Sequence, residues 1–174
     1  MNNRILKQKE LEEIEKNYDP QLSFRKLGVR LEIIVSVLLV LMSGYHFWAS
    51  GFGLVREVLH RGIHISFVLA LVFLLFGWNK KGDLKKTNKG YVYFQNIPIL
   101  DYIFAFLAVA SALYLPLLPS KELASIVGNP GSVDAFIGSI LIILTLEAAR
   151  RSVGSTLPII AIIFILFALF GPLA

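Results

Sequence analysis

The sequence predicts an all-α, polytopic membrane protein of about five transmembrane helices with a cytoplasmic amino terminus. Apolar runs recur along the chain after its first 30 residues, and the short stretches between them hold nearly all of the charge. An apolar run of about 18 residues or more can cross the roughly 30 Å hydrocarbon core of a bilayer as a helix. Of the 174 residues, 56% are hydrophobic and 17% are charged. In a soluble domain about a quarter of the residues are charged.

Composition excludes several classes of function. The formal net charge is +5, which in a soluble protein would suggest a nucleic-acid partner. Here the basic residues lie at the amino terminus and between apolar runs, where membrane topology explains them, so we expect no nucleic-acid partner. The chain has no cysteine, which excludes disulfides, thiolate metal sites and cysteine nucleophiles. About 30 polar residues precede the first apolar run, so no cleavable signal peptide is expected.

Residues 1–30 are predicted to be a cytoplasmic amino-terminal segment. Within it, Lys9–Lys16 (KELEEIEK) has the spacing of a short amphipathic helix, with Leu11 and Ile14 on its inner face. Asp19-Pro20 ends this helix, because the residue before a proline is disfavoured in the α region. The same residues are equally consistent with a solvated tail.

The five apolar runs are predicted to be helices, because backbone exposed to lipid must satisfy its own hydrogen bonds. Residues 31–149 form a predicted four-helix membrane module, and residues 150–174 a connector and a further helix. The second and fourth runs are short, and their flanks through Leu59 and Ala149 extend them to spanning length. The fourth and fifth runs could instead form a re-entrant or tilted pair around Glu147–Ser155. The runs are Leu31–Ser50, Ile63–Trp78, Leu100–Leu118, Val133–Leu146 and Leu157–Leu173.

The distribution of lysine and arginine predicts the orientation. Basic residues crowd the amino-terminal segment and the loop after the second run, and Arg150 and Arg151 follow the fourth run. The alternate loops are poorer, with Arg56 and Arg61 in one and Lys121 in the other. Loops rich in lysine and arginine stay in the cytoplasm. The amino terminus is therefore predicted inside, and the carboxyl terminus, after an odd number of crossings, outside.

A basic strip is predicted at the outer mouth of the second helix. Arg56, His60 and His64 lie four residues apart, so they share one face if the helix begins early. Arg61 lies beside them. The strip could receive an anionic solute or an acidic partner. Interfacial anchoring, in which long basic side chains reach the headgroups, is the simpler interpretation.

His46 and His64 are predicted near the outer ends of adjacent helices. Paired histidines that face each other across a bundle can ligate haem, or a metal together with a further ligand. Nothing else in the sequence supports a cofactor, so we predict none. A haem-binding membrane anchor of a redox complex is the alternative function. We predict no enzyme, because the sequence has no phosphate-binding loop, zinc-protease motif or nucleophile elbow.

The most compact charged group near a predicted membrane boundary is Glu147 with Arg150 and Arg151. Spacings of three and four residues let the carboxylate pair with either guanidinium on a helix. The group is either a locally neutralised cytoplasmic turn or a contact to another domain or to anionic lipid. Asp134 falls in the first turn of the fourth helix, where the helix dipole favours a carboxylate. Asp101, at the entrance of the third helix, is predicted to reach water.

Small residues predict close helix packing at two places. Ala105, Ala108 and Ala112 make a narrow strip on the third predicted helix, and Ala135 and Ser139 make one on the fourth. Such strips let helix backbones approach each other closely inside a membrane.

Short motifs follow one another in order along nearly the whole chain. Glu15–Pro20 (EKNYDP) is followed by Arg25, and Arg61–Phe67 (RGIHISF) by an apolar run. Asp101-Tyr-Ile opens the third predicted helix, which ends in Leu113-Tyr114.

The strongest group of motifs runs from Asp134 to Pro172. Its parts are Gly138, Leu146–Arg151 (LEAARR), Val153-Gly154, Leu157-Pro158 and Phe170-Gly-Pro172. Together these motifs resemble the start of a fused membrane permease of the tripartite ATP-independent periplasmic (TRAP) transporters, especially the TAXI branch. In that family the Glu147–Arg151 motif usually has the sequence Glu-Ala-Thr-Arg-Arg, so alanine in place of threonine at position 149 is a small departure.

The resemblance implies a function. In such permeases an amino-terminal part of about four helices resembles the small membrane subunit, and a larger part forms the transport core, whose broken helices are expected to hold solute and ion. Substrate arrives on a separate extracytoplasmic solute-binding protein, and sodium gradients usually drive the uptake of organic anions. By this resemblance the chain is a scaffold module, and residues 150–174 lead toward a core that this sequence does not contain.

The resemblance also implies a cellular localisation and partners. The place is a bacterial or archaeal cytoplasmic (inner) membrane, which the chain crosses several times. The partners are the large transport-core domain or subunit, the solute-binding protein and membrane lipids. The candidate contacts to another domain or partner are Arg56, Arg61, His64, Asp134, Glu147, Arg150 and Arg151.

Overall fold

The chain is mostly helical where the structure, a computed structural model, describes it. The described residues are 24–25, 27–53, 56–78, 93–94 and 97–171. The predicted Lys9–Lys16 helix lies outside them. Two short strands, β1 (Tyr93–Phe94) and β2 (Ile97–Pro98), pair antiparallel with Phe94 opposite Ile97. The helices are α1 (Val29–Phe52), α2 (Glu57–Leu75), α3 (Ile99–Leu117), α4 (Ser120–Ile126), α5 (Ser132–Ser152) and α6 (Thr156–Phe170).

Within the described residues, four helices are long and apolar enough to cross a membrane: α1, α2, α3 and α5. Their length and composition are those of a multi-pass membrane protein. Helix α6 has 15 residues and is about 22 Å long at 1.5 Å per residue, which is shorter than the hydrocarbon core. The structure thus supports four spans where the sequence predicted about five. The fifth span and the cytoplasmic amino terminus stay predictions.

The helix boundaries confirm that the two short apolar runs extend into their flanks. Helix α2 begins at Glu57, and α5 continues to Ser152. Gly154, with a φ of 109°, separates α5 from α6, and glycine takes this conformation without steric cost at a helix end. Pro158 lies in the first turn of α6, as predicted, where a proline costs little.

Two elements were not predicted, the β1–β2 pair and helix α4. Both lie in connections between apolar runs, where hydrophobic periodicity carries no signal. The strands have two residues each, and Pro98 ends the second strand and precedes α3. Helix α4 has only seven residues, none of them buried.

The main core joins α2, α3 and α5. Its small side chains come from α3, where Ala105, Ala108 and Ala112 are all buried, so the predicted strip does mediate close packing. The second predicted strip does not, because Ala135 and Ser139 are exposed on α5. The buried cluster of the core consists of Leu69, Phe73, Ala105, Ala108, Leu144 and Ala148.

A second cluster holds α1 against the rest of the bundle at one end only. It joins Leu31 and Val35 of α1 to Leu71 and Leu74 of α2 and to Ile97 of β2. Most of the remaining length of α1 is exposed. Helix α1 is therefore anchored by apolar contacts mainly near its amino-terminal end.

The predicted orientation can be measured with reporters fused after Lys86 and after Lys121. The lysine-rich loop should keep the first reporter in the cytoplasm, and the second should lie outside, because one span separates the two positions. Paired reporters, one active only in the cytoplasm and one only outside it, give the measurement. The opposite labelling would discard the predicted orientation.

Candidate functional site

Charged side chains meet at the end of the bundle where α2 and α5 finish and α3 begins. We call them the charge network: Arg25, Asp101, Glu147, Arg150 and Arg151. Asp101 is its centre and is only 3% exposed. Its Oδ1 accepts a hydrogen bond of 2.7 Å from Arg151 Nη1, and its Oδ2 accepts one from Arg25 Nη2. The prediction that Asp101 reaches water is therefore wrong, because α5 and the segment before α1 close over it.

Arg151 is the most deeply buried cation of the network, and its side chain has no exposed surface. Its Nε donates to Glu147 Oε1 at 2.7 Å, so the guanidinium bridges two carboxylates. The same guanidinium lies 5.1 Å from the ring centre of Phe73, 5.3 Å from that of Trp78 and 5.6 Å from that of Phe104. Aromatic faces attract cations at such distances. Ion pairs and aromatic rings together compensate the loss of hydration.

Glu147 pairs with both arginines that follow it. Arg150 donates two hydrogen bonds of 2.8 Å to its carboxylate, one from Nε and one from Nη2, in the two-pronged geometry that arginine and carboxylate prefer. The Arg150 guanidinium also lies 4.7 Å from the ring centre of Trp78. The ion pairs neutralise the group locally, as one interpretation predicted, within the last two turns of α5. Arg150 and Arg151 lie in the last turn, where the helix dipole favours cations.

The network keeps excess positive charge. Three guanidiniums face two carboxylates, so the formal charge of the group is +1. Arg25 Nη1 and Arg151 Nη2 are buried and find no hydrogen-bond partner among the described residues. Each charged side chain nevertheless has an ion-pair partner. The arrangement therefore suits a structural role, in which ion pairs hold α3, α5 and the segment before α1 together, better than it suits proton transfer.

The opposite end of the bundle gathers four ring side chains from α1 and α2. We call them the histidine cluster: Tyr45, His46, His60 and His64. His46 Nε2 and His64 Nδ1 lie 2.9 Å apart, and the Tyr45 hydroxyl lies 3.0 Å from His60 Nδ1. The ring centres of His46 and His60 are 5.2 Å apart. The three histidines are all that the chain contains.

The direct contact between His46 and His64 bears on the haem alternative. Axial ligation places the iron and its macrocycle between the two histidine nitrogens. Here the nitrogens are within hydrogen-bond distance, so a haem would require the rings to move apart. The arrangement does not favour this alternative.

The members of the predicted basic strip contact different parts of the chain. Arg56 precedes α2 and turns to the end of α3, where its Nη2 donates to Pro116 O at 2.7 Å and its Nη1 to Leu118 O at 3.1 Å. A cation at these carbonyls is favoured by the dipole of α3. Arg61 pairs with Glu57 on the exposed surface of α2. Both arginines thus have partners within the chain, which weakens the interpretation of the strip as a receptor for anions.

Asp134 joins α3 to α5 at the same end of the bundle. It lies in the first turn of α5, as predicted, and its Oδ2 accepts from the backbone N–H of Gly131 at 2.9 Å. Its Oδ1 accepts from the Tyr114 hydroxyl at 2.8 Å. The carboxylate is therefore engaged on both oxygens. A role for Asp134 in contacting a partner stays a prediction.

Sequence reasoning missed the centre of the charge network. Asp101 and Arg151 are 50 positions apart, and Arg25 and Asp101 are 76 apart, so no local spacing relates them. One signal was available. An ionised side chain next to an apolar span is costly unless it is paired, and the two arginines at the end of α5 were candidate partners.

Comparisons with known proteins do not place the chain in a family. A scan against protein-family models found no match, and neither did searches of curated proteins and of solved structures. The four long apolar helices of the described residues are compatible with a multi-pass membrane protein.

Proposed function

We propose that the chain is the scaffold module of a secondary TRAP-type uptake system for organic anions, driven by an ion gradient and dependent on a solute-binding protein. The single observation that carries the proposal is the composition of the charge network. Its members belong to the separate motifs on which the resemblance rests: Arg25, Asp101 and the Leu146–Arg151 segment. These residues meet in one largely buried cluster, which supports their being parts of one functional unit.

A scaffold has to be rigid, and the network provides a physical reason for rigidity. Separating α3 from α5 would expose the Asp101–Arg151 pair or leave each charge alone in an apolar environment, and breaking a buried ion pair costs several kcal/mol. The helices α2, α3 and α5 also share one packed core. In the proposed mechanism these helices hold the static part of the transport core while another part of the core moves.

The proposed contact with the transport core involves α6. This helix follows α5 after the break at Gly154, and nearly all of its side chains are exposed and apolar. An apolar surface on every side is stable only against lipid or against other apolar helices. We propose that the core covers part of it, and that the amino terminus and the charge network face the cytoplasm of a bacterial or archaeal cell.

Reconstituted transport tests the proposal. The chain would be expressed together with a TRAP-type transport core and a solute-binding protein, and uptake of a panel of radiolabelled organic anions would be measured in proteoliposomes under an imposed sodium gradient. We expect uptake only when all three components are present. Asp101→Ala should reduce uptake through loss of the rigid network, whereas Glu57→Ala, which removes an exposed carboxylate, should leave it unchanged.

Two results would contradict the proposal. One is unchanged uptake when the chain is omitted. The other is a Soret band in the visible spectrum of the purified chain, which would indicate a haem-binding anchor instead.

A further inference from the structure

The histidine cluster has the donor atoms of a transition-metal site. Imidazole nitrogen suits zinc, copper and nickel ions, and the cluster brings together every histidine of a chain that has no cysteine. We propose that His46 and His64 bind a divalent transition-metal ion between α1 and α2, with water in the remaining coordination positions. This proposal does not depend on the transport function.

The geometry of the pair carries the proposal. His46 Nε2 and His64 Nδ1 point toward one another at 2.9 Å. Two imidazoles on one zinc ion, with bonds of about 2.0–2.1 Å at a tetrahedral angle, hold their nitrogens about 3.3–3.4 Å apart. The ion therefore requires the two nitrogens to part by about half an ångström and the two rings to turn, because at a tetrahedral angle each lone pair aims about 35° away from the line that joins the nitrogens. His64 lies at an exposed position, where its ring can turn.

The protonation states are also compatible with a metal. In the metal-free pair, one of the two nitrogens carries the shared hydrogen and the other accepts it. When the ion binds, the donor ring takes its other neutral tautomer, with the hydrogen on its opposite nitrogen. Both facing nitrogens then present lone pairs to the ion. No residue has to gain or lose a proton if both rings start neutral.

His60 lies next to this pair but forms its own contact with Tyr45. Its Nδ1 lies 3.0 Å from the Tyr45 hydroxyl, and its ring stacks on that of Tyr45 with centres 5.4 Å apart. Among the described residues, no group of three or more histidine, aspartate or glutamate side chains is arranged to hold a metal. We therefore assign two protein ligands and place His60 outside the set. The nearby Arg56 and Arg61 have partners of their own.

A metal ion bound to His46 and His64 would link α1 to α2. The buried residues of α1 are Leu31 and Val35 at the charge-network end and Ala49, so few apolar contacts hold α1 near the histidine cluster. A ligand that binds only the folded state stabilises it by mass action. Thermal stability is therefore a readout that does not depend on transport.

The experiment uses the full chain in lipid nanodiscs, purified with a tag that contains no histidine. Cupric ion is the first probe, because it binds nitrogen ligands most tightly among the common divalent metals, and zinc ion is the second. We expect one cupric ion per chain, an electron paramagnetic resonance spectrum with nitrogen hyperfine structure, and a higher Tm with either metal. His46→Ala and His64→Ala should each raise Kd at least about tenfold. Loss of a contact that only orients a metal ligand already costs 10–100-fold in metal affinity, and loss of the ligand itself should cost no less.

His60→Ala is the matched control, because it removes the remaining imidazole without touching the pair. It should change Kd by less than tenfold and keep the nitrogen hyperfine structure. Equal affinities of the wild type and the His64→Ala variant would overturn the proposal, and so would loss of binding in His60→Ala. If His46→Ala does not fold, His64→Ala tests the same pair from an exposed position on α2.

Discussion

Replacing Asp101 with alanine should lower the stability of the bundle by about 3–5 kcal/mol, the usual cost of removing one partner of a buried ion pair. The variant would leave Arg25 and the fully buried Arg151 without the carboxylate that joins them. Glu147 would still pair with Arg151, but the formal charge of the network would rise from +1 to +2. Unfolding of the detergent-solubilised chain by heat and by added sodium dodecyl sulfate, followed by circular dichroism, measures the change.

Glu57→Ala is the control for this prediction. It also removes one carboxylate from an arginine, but the Glu57 and Arg61 side chains are 67% and 71% exposed, and water screens exposed pairs so that they contribute little. Its Tm should stay close to that of the wild type. Equal effects of Asp101→Ala and Glu57→Ala would mean that Asp101 reaches water after all.

A double variant tests whether the Asp101–Arg151 contact itself is responsible. Asp101→Ala combined with Arg151→Leu removes both charges of the pair, so Arg151 is no longer left buried without Asp101, and Arg25 loses its carboxylate to the same extent as in the single Asp101→Ala variant. The loss of stability should then be smaller than the sum of the two single losses. A coupling of about 0.5–3 kcal/mol is usual for groups in direct contact, whereas simple additivity would show that the two residues do not interact.

Gly62→Ala should destabilise the contact between α2 and α3 by about 1–3 kcal/mol, as overpacking in well-packed cores does. A Cβ atom at this position would overlap Pro116 Cγ and would lie 3.1 Å from the backbone oxygen of Ala112. The proline ring and the helix backbone cannot rotate away as a flexible side chain can. The two helices must therefore move apart. The Tm of the purified variant measures the loss.

Gly44→Ala is the matched control for this second prediction. Gly44 also lies inside a helix, α1, but nothing would approach its added Cβ within 4 Å. Alanine in a helix interior is favoured over glycine by about 0.5–1 kcal/mol. The same chemical change should therefore raise the Tm at Gly44 and lower it at Gly62. A rise at both positions would show that α2 and α3 do not pack as closely as described.

The features that follow from the sequence alone are local ones. Four of the five predicted spans appear as long apolar helices, because the length of an apolar run is read against bilayer thickness without reference to any other part of the chain. The position of Asp134 in a first turn and the pairing of Glu147 with the two arginines follow equally from helical spacing. The fifth run yields only a 15-residue helix within the described residues.

Which side chains contact one another across different helices was decided only by the tertiary structure. The burial of Asp101, the turn of Arg56 toward the end of α3 and the contact between His46 and His64 all join different helices. No periodicity along one helix specifies which neighbour it will face or at what depth. In a bilayer the apolar faces of a helix are nearly equivalent, since lipid is as apolar as leucine. The choice among them is made by small residues that admit close approach and by polar groups that must find one another, and both are properties of the assembled bundle.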